Sequence, residues 1–489
     1  MRRLSASTLQ QLPGSTVKPT YDRDQAVGVV HLGTGAFHRA HQAAYFDALL
    51  SAGDAGWMIK GASLRSASVA KQMNPQDGLY TMLERDGEAE RQQIIGSVKG
   101  VLVATDDPAA LAAALAHGDV ALVTLTVTEK GYCMDPATGT LLTGDPAVAS
   151  DIANIDAPKT APGFLVAGLK ARKAAGLKPF TVLSCDNLPD NGVRTRQGVL
   201  AMAREIDRDL ADWIAAEGAF PSSMVDRIVP ATAGDDIDAL EAATGLRDEA
   251  MVKTEPFTQW VVEDWFSDRR PALETVGVQM TKDVAAWEKV KLRLLNGAHS
   301  AIAYLGGLAG HEFVHQAMAA PGFAAMVNRL WDEAEATLDP IDGFDPKVYR
   351  ADLTARFSNA SLQHRTFQIA MDGSQKLPQR LLNTIRAHRG AGKPVPPALT
   401  LAVAGWMRWQ LGVTDGGKAF TVDDPLAQQT MAAIKRGARG LLGIEPIFGS
   451  DLPVDSEFLS AVEAAFNLLS DRPVSAAVAA FDGHRVSEL

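Results

Sequence analysis

The sequence predicts an α/β fold, with a Rossmann-type N-terminal domain over residues 1–280 and a mainly α-helical C-terminal domain over 281–489. Three observations predict it. Short apolar, β-branched runs alternate with helical stretches through the first half, which argues for a parallel sheet covered by helices. The first of these runs ends in the turn Gly33-Thr34-Gly35 and passes directly into a helical stretch. Beyond residue 281 strand signals nearly vanish and helical periodicity takes over.

The elements follow in order. Residues 26–32 form the first strand and 39–50 a helix, and 57–64 form the second strand. The Ala-rich stretch 108–116 is a helix, and 120–127 is a strand that ends at Thr128-Glu129-Lys130-Gly131. A helix over 165–175 precedes a strand over 180–184, which runs out into Cys185-Asp186-Asn187. Polar residues thus gather just beyond strand carboxyl ends, where open α/β sheets hold ligands. In the second half, 284–305, 311–320, 323–336, 379–388, 397–409, 426–439 and 458–469 have helical period and propensity. Gly306-Gly307, 340–346 and 390–397 punctuate them.

A chain of 489 residues is too long for one ordinary core, so two domains are expected. Its 46% hydrophobic and 21% charged residues are those of a soluble globular protein. A net charge of −11 argues against nucleic acid as a main partner, because phosphate binding needs clustered Lys and Arg. A local cationic pocket for a small anion is compatible with it. Cys133 and Cys185 are the only cysteines, which excludes a disulfide framework and a Cys-rich metal site. The first residues lack the apolar core of a secretory signal, and no apolar run reaches the ~18 residues of a membrane span. A cytoplasmic enzyme or binding protein is expected.

Two stretches carry the chemistry. In the first, glycines at 33 and 35 let the backbone approach a pyrophosphate at a helix start. His38 stands where a dinucleotide fingerprint has its third glycine. The second strand ends in Ser63, Arg65 and Ser66 rather than in an acid, which leaves NAD and NADP both open, with Arg65 able to meet a phosphate. In the second stretch, Lys291, Asn296 and His299 lie within nine residues. At ~100° per residue, with Lys291 at zero, Glu288 falls at ~60°, His299 at ~80° and Asn296 at ~140°. A lysine, an amide and an imidazole on one side of a helix can move a proton and steady an alkoxide without a metal.

Three other stretches are weighed against plain structural roles. His311-Glu312-Phe313-Val314-His315 matches the zinc-protease pattern HExxH. No suitable third histidine follows it, and helix surface is the preferred reading. The run from Asp186 to Gly192 is rich in turn formers, yet Asn187 places an amide donor just past a strand end. From His364 to Arg380, the side chains of His364, Arg365, Lys376 and Arg380 surround a Gly turn. They read either as a solvated basic surface or as an anion pocket.

Seven co-linear segments then resemble one family, the polyol-specific long-chain dehydrogenases/reductases, across nearly the whole chain. They are GTGAFHRAHQAAYFD at 33–47, QDGLYT at 76–81, TVTEKGY at 126–132, SCDNLPDNG at 184–192, VDRIVP at 225–230, EPFTQWVVED at 255–264 and KLRLLNGAH at 291–299. The last is that family's K-x4-N-x2-H signature. The resemblance implies a Rossmann domain, a helical domain and a metal-independent active site in the cleft between them. It implies that Lys291 is the catalytic acid–base, that Asn187 and Asn296 hold the substrate oxygen, and that His299 orients the substrate. Lys291 is then expected to have its pKa lowered from ~10.4 towards the working pH. Gly33, Thr34, Gly35, Ala36, Phe37, Arg65 and Thr128 are the expected cofactor contacts, and Asp226 and Glu288 lie near the reaction centre. Residues 364–380 are most similar to the branch that interconverts D-fructuronate and D-mannonate with NAD. Its substrate carboxylate gives His364, Arg365, Lys376 and Arg380 a partner to which they supply counter-charge. Oxidation of a neutral polyol, D-mannitol to D-fructose, is the second reading. A zinc hydrolase and a non-catalytic dinucleotide-binding regulator are the rivals from other classes.

Overall fold

The structure, a computed structural model, describes residues 2–87, 89–135 and 138–481. The chain separates into two compact units, Met1–Ala285 and Ala286–Leu489.

The first unit is built on a five-stranded parallel sheet. Its strands lie in the order Val98–Val103, Met58–Ser63, Val27–Leu32, Leu122–Leu125, Thr181–Ser184. From Val27–Leu32 the chain lays down two strands outward on one side and then crosses to lay the next two on the other. This is Rossmann order, and the point where it reverses lies between Val27–Leu32 and Leu122–Leu125. Both faces are covered, so the strands read as unbroken apolar runs. Val29, Ile59, Leu122 and Leu183 point into one core layer, while Val30, Leu32, Val123 and Val182 point into the other. The first layer is closed by Phe46, Leu49 and Trp260, the second by Leu111, Phe164 and Met202. Two three-stranded sheets complete the unit, Gln279–Thr281 with Gln259–Glu263 and Ser223–Asp226, and Ala89–Ile95 with Tyr80–Asp86 and Val252–Thr254.

The helix expected over 39–50 is two helices, Ala36–Ala40 and Gln42–Ser51. His41 breaks it at φ −120, ψ −90, and its buried ring reaches the carbonyl of Gln259 at 2.9 Å. A tertiary contact here overrides an unbroken helical period.

The second unit is helical. Gly297–Leu308 runs through its centre with every residue buried, packed against Pro397–Trp409. Glycines permit that approach: a Cβ on Gly405 would meet Leu305 at 2.8 Å, and one on Gly307 would meet Trp409 at 2.7 Å. Pro346–Ser358 is a helix that the sequence reading passed over, its start capped by the Asp345 carboxylate. The segments 284–305 and 379–388 are not uniform α-helices: Lys291–Asn296 and Pro378–Leu382 are π turns. Among the described residues no helix is long and apolar enough to cross a membrane.

Candidate active site

Gly33 must be glycine. It sits at φ +99, and a Cβ there would lie 2.1 Å from the carbonyl oxygen of Thr126 on the neighbouring strand end. Gly35 is different. Its φ is −89, and a Cβ would meet only the Gly33 oxygen at 3.7 Å. The protein itself does not require that glycine, so the space beside Gly35 is a cradle that a side chain would fill. A pyrophosphate approaching the backbone at the switch point fits it. Thr34 is buried, Ala36 opens the helix Ala36–Ala40, and Phe37 stacks on His41 at 5.0 Å. Arg65 is exposed in the turn after Met58–Ser63.

His38 occupies the third-glycine position for a reason that the sequence does not show. Its ring lies flat on His31, with centroids 3.4 Å apart and an interplanar angle of 11°. The third glycine serves close helix–strand packing, and a stacked imidazole pair fills the same layer. His31 holds Thr124 Oγ1 at 2.7 Å and Thr126 Oγ1 at 2.9 Å. Burial pushes its pKa down to about 3 and that of His38 well below the usual imidazole value, so both rings stay neutral.

The strand ends on the other side of the switch point are tied together by Asp186. Its carboxylate accepts the backbone N–H groups of Val127 and Thr128, each at 3.0 Å, and the Tyr132 hydroxyl at 2.7 Å. Burial raises the Asp186 pKa, and these three bonds oppose the rise. Thr128 is thereby held at φ 67, ψ 164, a region that ordinarily takes glycine and costs ~1–3 kcal/mol. Asn187 follows Asp186 directly and is exposed, and Asp226 ends the strand Ser223–Asp226 at 6% exposure. Replacing Asp186 with Ala is expected to cost ~2–3 kcal/mol of stability and to weaken dinucleotide binding at least ~10-fold, because the Thr128 turn relaxes. Thermal melting and a dinucleotide titration check this; unchanged binding would separate the strained turn from the cofactor.

In the second unit the signature lies on the π turn Lys291–Asn296. A π turn accommodates one extra residue, so residues beyond it lag by roughly 100° behind an α-helix. His299 therefore moves from ~80° to about −20° and Asn296 from ~140° to ~40°, which brings both closer to the line of Lys291. The turn is held from outside: the Trp331 indole donates to the Leu294 carbonyl at 2.9 Å, and Arg293 reaches the Thr337 carbonyl at 2.8 Å. Lys291 is 7% exposed, Asn296 and Glu288 are half-buried, and Glu288 lies one turn earlier on Val284–Val290.

His299 is also buried. Its ring packs on Phe357 at 4.6 Å and meets His364 edge-on at 5.2 Å. Burial drives the His299 pKa well down, and the charges of His364, Arg356 and Arg380 add to the effect, so His299 works as a neutral imidazole. His364 is pushed to about 4 by burial and by Arg356. The structure thus brings His299 and His364 together, and adds Arg356 and Arg380. Arg356 was missed because its helix, Pro346–Ser358, was missed.

Two residues expected in an anion pocket are engaged elsewhere. Arg365 donates to Glu312 at 2.5 Å in an exposed ion pair and lies over the Phe313 ring. Lys376 donates to the Met371 carbonyl at 2.6 Å, with the Asp372 carboxylate 3.6 Å away. The HExxH reading also needs correcting, since the pentapeptide is not a stretch of helix. His311 precedes the helix Val314–Ala319 and packs edge-on against Phe323, whereas His315 lies on that helix and stacks on Phe313. Phe313 is bridged to Arg365 in extended conformation, which breaks the helix that four-residue spacing would need.

The chain is similar to known proteins along nearly its whole length. Residues 27–275 match the family model of the mannitol dehydrogenase Rossmann domain, and 283–470 that of the mannitol dehydrogenase C-terminal domain. The chain is 44% identical over 463 residues to the uncharacterised oxidoreductase YeiQ of Escherichia coli, covering 93% of this chain and 95% of that protein. It is 42% identical over 474 residues to the D-mannonate oxidoreductase of Escherichia coli, covering 95% and 97%. The solved structure of Pseudomonas fluorescens mannitol 2-dehydrogenase, a ternary complex with NAD and D-mannitol, is 38% identical with a TM-score of 0.82, covering 97% and 98%.

Proposed function

Because the chain belongs to the mannitol dehydrogenase family, we propose that it is an NAD-dependent oxidoreductase that interconverts D-fructuronate and D-mannonate, with Lys291 as a metal-independent acid–base. The observation that carries the choice of a sugar acid is the Arg380 guanidinium, whose field reaches the signature His299 and whose side-chain hydrogen bond among the described residues goes to Ser300 rather than to a carboxylate. A neutral polyol gives that charge nothing to pair with. The D-mannonate oxidoreductase relative supports the same reading, and the likeness to mannitol 2-dehydrogenase keeps D-mannitol oxidation as the second one.

The glycine turn from Gly33 to Phe37 holds the dinucleotide, with Thr128 and Arg65 as further contacts. Bound NAD supplies the hydride acceptor for oxidation and, when reduced, the donor for the reverse reaction. In oxidation, neutral Lys291 takes the proton from the substrate hydroxyl through Nζ. Asn296 and Asn187 donate amide N–H groups to the oxygen as it gains negative charge. His299, held neutral, orients the substrate by hydrogen bonding without adding a competing charge. In reduction, protonated Lys291 returns the proton to the carbonyl oxygen. Asp226 and Glu288 are assigned to substrate hydroxyls.

The test is consumption of NADH and NADPH in parallel with D-fructuronate, before and after exhaustive chelation. NADH is expected to be used at least ~10-fold more efficiently, and chelation to leave the rate unchanged. Loss of activity on chelation that zinc restores would instead support a metal mechanism.

A further inference from the structure

We propose that Arg380 is the residue that recognises the carboxylate of the substrate, with Ser300 orienting its guanidinium and the edge of His364 closing the same subsite. This deepens the sugar-acid reading and rests on it. Arg380 lies on the second π turn, Pro378–Leu382, where a proline inside the helix removes a backbone donor and forces the wider winding. That turn packs against the π turn that carries Lys291 and Asn296. The two come close because Gly297 has no side chain: a Cβ there would sit 3.1 Å from the Arg380 carbonyl oxygen. The two helices thus meet where both leave α geometry.

The guanidinium has donors to spare. Arg380 Nη1 donates to Ser300 Oγ at 3.1 Å, and Ser300 is 1% exposed and follows His299 in the chain. A guanidinium offers five N–H donors, and among the described residues this hydrogen bond is the only one Arg380 makes. No carboxylate of the described residues forms an ion pair with it, in contrast to Arg365 with Glu312 and Lys376 near Asp372. Burial lowers the Arg380 pKa, opposed by the fields of Tyr304 and Asp372. Its field also reaches His299 and the like-charged Lys376. His364, whose ring meets His299 at 5.2 Å, has its Nδ1 buried with no hydrogen-bond partner. A desolvated guanidinium with unused donors is costly to keep, and a planar carboxylate taken bidentately offsets that cost.

Steady-state kinetics with NADH test the assignment on Arg380→Met and Arg380→Lys, using D-fructuronate and D-fructose. Arg380→Met is expected to raise the KM for D-fructuronate at least ~50-fold, with a smaller change in kcat. D-fructose, which has no carboxylate, should be affected at least ~10-fold less. Arg380→Lys keeps the charge without the fork and should fall between wild type and Arg380→Met. Equal losses for both substrates, or an unchanged KM for D-fructuronate, would overturn the role of Arg380. Should Arg380→Met fail to melt cooperatively or to bind NADH, Arg380→Lys decides alone: a KM rise of at least ~10-fold for the acid is expected, and none would overturn the proposal. Wild-type protein that uses D-fructose as well as D-fructuronate would instead overturn the sugar-acid reading itself.

Discussion

Lys291→Ala is expected to lower turnover by ~10³–10⁴ while leaving NADH affinity within ~3-fold of wild type. The side chain is 7% exposed on a π turn, close to the lines of Asn296 and His299, and the dinucleotide cradle belongs to other residues. Loss of the proton-transfer group should therefore appear in kcat and kcat/KM together, as for an interaction made in the transition state. Lys291→Arg sharpens the test. Arginine keeps the positive charge but cannot give up a proton near neutral pH, so it should not restore oxidation. Recovery of activity by arginine would show that Lys291 supplies charge alone. Preserved turnover in Lys291→Ala would remove it from the chemistry.

Gly33→Ala is expected to be the most damaging single methyl in the first unit. At φ +99 the new Cβ is strained, and it would lie 2.1 Å from a backbone oxygen that cannot move without the adjoining strand. Together these should cost about 3–5 kcal/mol, read as a fall in thermal midpoint with loss of NADH binding. Gly35→Ala supplies the contrast. A Cβ there meets nothing closer than 3.7 Å in the protein, so the melting temperature should hold within a few degrees while NADH binding weakens at least ~10-fold. Gly35→Ala that binds NADH normally would place the pyrophosphate elsewhere.

Much of this was legible in the sequence, and for physical reasons. A parallel sheet buried on both faces writes itself as short continuous apolar runs, so the strand ending at Leu32 and its glycine turn could be read directly. The signature residues were legible as a cluster because they are close in the chain. Their true alignment was not, because periodicity assumes one winding and a π turn changes it without a residue that announces it. Pro378 could have announced the second π turn, being a proline inside an otherwise helical run. The fate of the cations between 364 and 380 was hidden for another reason. Glu312, which occupies Arg365, lies 53 positions away in sequence, and spacing carries no trace of such a partner. His38 was legible only as a missing glycine. That it stacks on His31 follows from helix and strand meeting face to face, which is tertiary information.

Preference for a sugar acid over a neutral polyol is measured most directly as the ratio of kcat/KM for D-fructuronate to that for D-fructose, with NADH and unmodified protein. The cationic surroundings of His299 predict a ratio of at least ~100 in favour of the acid. A ratio near one, or one favouring fructose, would contradict it.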